Sequence, residues 1–334
     1  MTHPQPIPVT LGIDIGGTNT AFGLVDRLGN ILTESTLPTK VHPTCEEYLR
    51  SLNSKIRQIY NDHEKKSGQK MRLIGIGIGA PNANYYRGTI EYAPNLTWPG
   101  VVPFVEMMKG YFDVPIVLTN DANAAAVGEM VYGGAKGLKN FVVITLGTGL
   151  GSGLVVNGEL VYGHDGFAGE LGHITVNPDG RHCGCGRKGC LETYVSATGI
   201  KRTVYKLLAD FNESSELRNV PFNDLTAYMI SEAARRGDRV AIEAFEYTGR
   251  ILGQKLADTV AHTSPEAIFL FGGLAQANEL IFYPTQRHME ANLLNIYKNK
   301  VKILPSELMD KNAAVLGASA LAWKELESEG LLLE

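Results

Sequence analysis

The sequence predicts an α/β protein of two domains, and three observations carry that expectation. Strand-forming runs alternate with amphipathic or alanine-rich helical stretches along most of the chain. A strand–glycine hairpin–strand pattern occurs twice, Gly16-Gly17-Thr18 leading to Gly23-Leu24-Val25 and Gly147-Thr148-Gly149 leading to Gly153-Leu154-Val155. This reads as an internal duplication, with two similar halves expected to face one cleft. At 334 residues the chain is long enough to bury two cores.

Taken in order, Val9 to Asp14 alternates as a strand and runs into Ile15-Gly16-Gly17-Thr18-Asn19. Ala21 to Asp26 and Ile31 to Ser35 are further strands, so the glycines sit in a hairpin. A P-loop or a dinucleotide fingerprint would lead into a helix instead. The hairpin N–H groups and the Thr18 hydroxyl can still hold phosphate oxygens. Read alone, D-I-G-G-T fits a tight hairpin carrying a buried Asp14 equally well. Thr44 to Lys66 predicts a helix, with Tyr48, Leu49, Leu52, Ile56 and Ile59 at helical spacing and Thr44 as N-cap. Leu73 to Gly79 is a buried strand ending in the loop Ala80-Pro81-Asn82, and Tyr92 to Gly100 is a second loop, carrying Asn95.

Pro115 to Thr119 is a short strand, and the alanines after Asn120-Asp121-Ala122-Asn123 predict a helix starting at or just after Asp121. By itself Asp121 reads as a helix N-cap. The alternative is a carboxylate at the mouth of a strand–helix crevice, where α/β sheets place ligands. Phe141 to Thr145 enters the second glycine hairpin, and Leu154 to Val156 leaves it. Helices are expected over Thr193 to Asp210, Leu225 to Arg236, Arg239 to Thr263 and Ala313 to Glu327, with strands at Ile268 to Phe271 and Val301 to Leu304.

Between these halves lies the most chemically loaded stretch, Ala168 to Glu192. His173, Cys183, Cys185 and Cys190 give H-x9-C-x-C-x4-C, one imidazole and three thiolates, a set suited to tetrahedral zinc. His182 is the rival imidazole, but it abuts Cys183. A disulfide between Cys183 and Cys185 would close a poor loop. With four protein ligands the metal has no open position, so its expected role is structural. It would fix the backbone carrying Glu170 and Glu192, and His173 would keep its second ring nitrogen for an outward hydrogen bond. Carboxylates and an imidazole on a rigid knot suit a polyhydroxylated ligand.

Composition excludes several classes. Net charge is −4 and no long basic run appears, which argues against a nucleic-acid surface. No apolar run approaches the ~20 residues of a membrane span, and the first ten residues lack the pattern of a signal peptide. Apolar residues make up 44% and charged residues 20%, as expected of a soluble protein, and the cysteine usage suggests a reduced, cytoplasmic setting.

The ordered set of motifs D-I-G-G-T (Asp14 to Thr18), N-D-A-N (Asn120 to Asn123), L-G-T-G-L-G-S-G (Leu146 to Gly153), A-G-E-L-G-H (Ala168 to His173), C-G-C-G-R-K-G-C-L-E (Cys183 to Glu192) and F-G-G (Phe271 to Gly273) resembles the ROK family of sugar kinases, and within it the glucokinases. The resemblance spans nearly the whole chain. It implies the actin-like ATPase (ribonuclease H-like) fold, with two domains and an interdomain active-site cleft. The expected boundaries are 1–119 plus 314–334 for a smaller domain and 120–313 for a larger one with the zinc motif.

The resemblance further implies ATP-dependent phosphorylation of glucose at its 6-hydroxyl, with Mg²⁺ and structural Zn²⁺. Asp14, Gly16, Gly17, Thr18, Thr148 and Gly149 would serve the phosphates, and Gly272, Gly273 and Asn312 the adenosine. Asp121 would be the general base, and Asn95, Asn120, Glu170, His173 and Glu192 would hold the other sugar hydroxyls. A homodimer is implied as well. An N-acetylhexosamine kinase or fructokinase would share these motifs, and a non-catalytic sugar-sensing regulator is the alternative of another class. Repressors of this fold add an N-terminal DNA-binding domain, for which the sequence before Asp14 leaves no room. Many relatives also carry Pro-Gly where this chain has Pro81-Asn82, which leaves specificity at the sugar C2 substituent open.

Overall fold

The structure is a computed structural model describing residues 5–308 and 312–331. It divides into two compact units, residues 1–137, 160–168 and 307–334 in the first and residues 138–159 and 169–306 in the second. Asp121 and its helix fall with the N-terminal strands, whereas the sequence reading drew its boundary at 119/120.

In the first unit β1 (Ile7–Ile15), β2 (Asn19–Val25) and β3 (Ile31–Pro38) form an antiparallel meander. Helix α1 (Cys45–Ser67) starts where Thr44 accepts a hydrogen bond from the Glu47 N–H and stops at Gly68, in the left-handed conformation. Strand β4 (Met71–Gly79) pairs parallel with β1. A small sheet of β5 (Ala83–Asn84), β6 (Thr89–Glu91) and β7 (Val101–Val102) follows, then α2 (Phe104–Lys109). Strand β8 (Ile116–Thr119) pairs parallel with β4 and leads into α3 (Asp121–Tyr132). Leu11, Ile13, Phe22, Tyr48, Leu52, Ile76 and Phe104 form the core between this sheet and α1.

The second unit begins with β9 (Phe141–Leu146), β10 (Leu150–Val156) and β11 (Glu159–Leu160). Between Gly158 and α4 (Ala197–Asp210) the segment is largely irregular, with one-turn helices at Leu171–His173 and Leu191–Thr193. Helix α4 begins four residues later than the sequence suggests, because Ser196 caps it by accepting from the Gly199 N–H at 2.9 Å. Then come α5 (Ala227–Arg235), α6 (Arg239–Thr263), β12 (Ala267–Phe271), α7 (Glu279–Asn292) and β13 (Lys302–Pro305). The sequence reading did not find α7. Its Pro284 interrupts the helical pattern, yet packs where Gly249 of α6 has no side chain.

The sheet orders are β3-β2-β1-β4-β8 and β11-β10-β9-β12-β13. In both, the glycine hairpin joins the central strand to its antiparallel neighbour, and two parallel strands complete the other side. The repeated sequence motif thus has a structural counterpart.

Helix α8 (Ala313–Ser328) returns to the first unit, where it packs on β1, β4 and α3. Its approach is close: a Cβ on Gly77 of β4 would lie 1.8 Å from the Ala318 carbonyl oxygen. Thr10 of β1 and Ser319 of α8 join their hydroxyls at 2.7 Å, so this buried polar pair is satisfied. Gly77→Ala should therefore lower stability by about 3 kcal/mol or more, because backbone must move rather than a side chain. A denaturant midpoint unchanged from wild type would show that the helix is not held this tightly.

Candidate active site

In the first unit the candidate residues gather at the carboxyl ends of parallel strands. Asp14 of β1 stands beside Gly79 of β4, which stands beside Thr119 of β8. The chain then turns through Asn120 into α3, where Asp121 is the first residue. A Cβ on Gly79 would lie 3.4 Å from the Asp121 Cα and 3.7 Å from Asp14 Oδ1, so this glycine leaves room between the two acids. Asn120, not Asp121, is the N-cap: its Oδ1 accepts from the Ala122 N–H at 2.8 Å. Asp121 Oδ1 accepts from the same N–H at 2.8 Å.

Burial pushes the Asp14 carboxyl up to about 7, and the neighbouring Asp121 charge adds to the rise. Asp121 keeps a face open to solvent, yet desolvation still raises its carboxyl against the pull of the Ala122 N–H. In the hairpin the Gly16 N–H donates to the Asn19 carbonyl at 3.0 Å, and Thr18 is exposed. The Thr18 carbonyl accepts from the Thr39 N–H at 2.8 Å. Beneath it the hydroxyls of Thr20, Thr39 and Tyr48 form a buried network at 3.0 and 2.9 Å. Asn95 backs the hairpin, since a Cβ on Gly17 would lie 2.8 Å from its Cβ. Asn312 caps α8 and donates to Glu34 at 2.9 Å.

In the second unit the hairpin closes with the Gly147 N–H on the Gly149 carbonyl at 3.1 Å, leaving Thr148 exposed. Its Gly147 carbonyl accepts from the Ala197 N–H at 2.9 Å, tying it to the start of α4. A Cβ on Gly149 would lie 2.7 Å from Glu192 Oε2, so Glu192 lies against this hairpin.

The four expected metal donors, His173, Cys183, Cys185 and Cys190, lie within 4.8 Å of one another, and His182 is not among them. Cys185 and Cys190 sulfurs are 3.7 Å apart, and Cys183 Sγ is 3.7 Å from His173 Nδ1. Sulfurs at the corners of a zinc tetrahedron would be ~3.8 Å apart, given Zn–S bonds of about 2.3 Å. The donor set and its size therefore fit zinc. Burial, followed by the hydrogen bond to Glu192, pushes the Cys183 thiol well up, and a bound cation would displace that proton.

Two short antiparallel bridges, Thr175 with Cys190 and His182 with Lys188, shape the knot. Arg181 docks it on α4, donating to the carbonyls of Thr193 at 2.8 Å and Gly199 at 3.0 Å while lying over the Tyr194 ring. Glu192 Oε1 is 3.7 Å from His173 Nδ1, and exposed Glu170 opens the helical turn that ends in His173.

At the end of β12, Gly272 has φ +101° and packs against the Leu146 carbonyl. Gly273 borders an open surface pocket whose wall includes Tyr228, Ser231 and Arg235 of α5. Sequence reasoning did not single out those α5 residues. Their one signal is an aromatic on the polar side of an amphipathic helix, since Tyr228 is 71% exposed.

The model of the ROK family matches residues 10–325. The chain belongs to the ROK family. A glucokinase of Streptomyces coelicolor is 35% identical, with 94% of this chain and 97% of that one covered. The crystal structure of a ROK glucokinase from Streptomyces griseus, in complex with glucose and AMPPNP, superposes with a TM-score of 0.78 at 34% identity, covering 95% of this chain and 99% of that one. The ROK family also includes regulators: the DNA-binding transcriptional dual regulator NagC of Escherichia coli is 29% identical over 97% of this chain and 77% of its own. The expected fold class, mixed α/β of the actin-like ATPase type, is the one shared with these ROK structures.

The raised Asp14 carboxyl has a thermodynamic consequence. Because its folded value of about 7 exceeds the ordinary 3.8, the native state binds a proton that the unfolded chain has released. The stabilising preference is fully present below pH 3.8 and is lost as pH rises through about 7. Asp14→Asn should therefore raise the unfolding free energy at pH 8, by on the order of 2 kcal/mol more than at pH 5. A difference that stays flat across this range would contradict the assignment.

Proposed function

We propose that this chain transfers the γ-phosphoryl group of ATP to the 6-hydroxyl of glucose, with Asp121 as general base. That it is a sugar kinase is carried by its similarity to glucokinases over nearly their full length. The observation that most supports Asp121 as base is its placement: Asn120 is the cap, and Asp121 stands exposed as the first residue of α3, beside Gly79 at the carboxyl ends of the parallel strands. Desolvation raises its carboxyl, moving it toward the range where a base works well near neutral pH.

Phosphoryl transfer is mainly positioning and charge stabilisation. The N–H groups of Gly17 and Gly149 and the hydroxyls of Thr18 and Thr148 would bind the phosphates, with the Gly16 N–H closing the first hairpin on the Asn19 carbonyl. Asp14 would orient the hydrated Mg²⁺, which when bound neutralises phosphate charge. The pocket beside Gly273 would take the adenosine, with Tyr228 and Arg235 as added contacts and Asn312 as a border residue. Asn120 uses its oxygen for the cap, which leaves its amide N–H groups for a sugar hydroxyl. Asn95, Glu170, His173 and Glu192 would hold the remaining hydroxyls. Zinc on His173, Cys183, Cys185 and Cys190 would supply rigidity and no chemistry, with the His173 Nε2 facing away from the thiols. Glucose is preferred here over N-acetylated hexoses or fructose because glucokinases match this chain at 34–35% identity over nearly their whole length. A cytoplasmic homodimer belongs to the same proposal; among the described residues no helix is long and apolar enough to cross a membrane.

The test is ADP release with ATP, Mg²⁺ and a panel of glucose, mannose, fructose, N-acetylglucosamine and N-acetylmannosamine. Turnover should be strongest on glucose, and Asp121→Ala should slow it by roughly 10²–10⁴-fold while calorimetry still detects glucose binding. An unchanged rate in that variant would refute the base. Glucose binding by the wild type without turnover on any sugar would favour the regulator reading that the NagC similarity raises.

A further inference from the structure

Asn82 has no role in the chemistry above, yet its conformation and bonding are unusual. It sits at φ +51°, in the left-handed region that favours glycine and tolerates asparagine next best. Its side-chain amide donates to the carbonyl of Glu91 at 3.0 Å and to that of Tyr92 at 3.3 Å. Its own carbonyl accepts from the Glu91 N–H at 3.0 Å. One residue therefore binds the end of β6 on both its backbone and its side chain.

What begins there is the loop Tyr92 to Gly100. Tyr92 is itself at φ +50°, and its N–H donates to the Gly100 carbonyl at 2.7 Å, closing the loop on its stem. Asn95 projects from this loop against Gly17 of the hairpin. Farther along, the Thr97 hydroxyl donates to the His42 carbonyl at 2.9 Å. At the entry to the loop Asn82 spans both the last residue of β6 and Tyr92 with its side-chain amide.

We propose that Asn82 is a positioning residue for glucose binding, fixing the stem of the Tyr92 to Gly100 loop so that Asn95 stands where the sugar requires it. This rests on the reading of Asn95 as a sugar ligand. A glycine at position 82 would keep the backbone conformation and lose both side-chain donors, which isolates the staple from the fold. A purely structural role would lower the thermal midpoint and leave substrate constants alone.

The experiment is a double-mutant cycle with Asn82→Gly and Asn95→Ala, measuring kcat and the KM for glucose and for ATP, with thermal midpoints alongside. Asn82→Gly should raise the glucose KM by roughly tenfold, the worth of one well-placed hydrogen bond. The ATP KM should stay unchanged, and the double variant should be little worse than Asn95→Ala alone. An unchanged glucose KM in Asn82→Gly, or effects that add in full, would overturn the proposal while leaving Asn95 as a ligand. If Asn95→Ala itself leaves the glucose KM unmoved, the sugar-ligand reading fails and the proposal falls with it.

Discussion

The convergence of one imidazole and three thiols within 4.8 Å is the constraint on which the sugar surface proposed for the second unit depends. The segment that carries it, from Gly158 to Ser196, has almost no regular structure to hold its backbone. Short helical turns and isolated bridges are weak restraints, because each fixes few residues for few hydrogen bonds. Arg181 supplies one strong anchor to α4. Buried Leu191, Tyr194 and Val195 supply apolar anchoring, and Glu192 links the donor cluster to its surroundings. Its carboxylate touches Cys183 Sγ at 2.9 Å on one side and backs the Gly149 hairpin on the other. A shift in the knot would therefore be felt at the hairpin proposed to hold phosphate.

The first unit solves a different problem, placing two like charges near one glycine at the ends of parallel strands. Burial and mutual repulsion raise the Asp14 carboxyl, an arrangement that lowers stability at neutral pH unless a cation or a proton arrives. Such sites are common where function requires charge to be held ready. The rigid support is visible nearby: α8 lies so close to β1 and β4 that only glycine fits beneath it, and α3 packs on α8 through Gly128 and Gly317. The acid that begins α3 is thus mounted on a tightly packed element, which is what precise positioning requires.

Much of this was legible from local sequence. Both glycine hairpins, α1 with its Thr44 cap, and α6 from Arg239 to Thr263 follow from patterns contained within a few residues. The Cys and His spacing was sufficient to foresee which four donors converge, since intervening glycines permit a tight wrap. Other features depend on contacts distant in sequence. Helix α7 is stabilised through Pro284 against Gly249, a tertiary fit that its own sequence does not announce. The pocket beside Gly273 arises because α5 folds next to the end of β12. Asp121 and Asn120 compete for the same cap, and sequence alone could not tell which residue takes it. The left-handed turn at Asn82 is another such feature: asparagine tolerates a backbone angle that favours glycine, and its amide adds two hydrogen bonds to a stem nine and ten residues away.

The most direct test of the proposed metal-held sugar surface is metal content and glucose affinity, measured by mass spectrometry and calorimetry on the wild type and Cys185→Ser. One zinc per wild-type chain, with loss of both zinc and glucose affinity in a variant that stays largely folded, is the predicted result. A native protein without zinc, or a zinc-free variant that binds glucose as well as wild type, would contradict it.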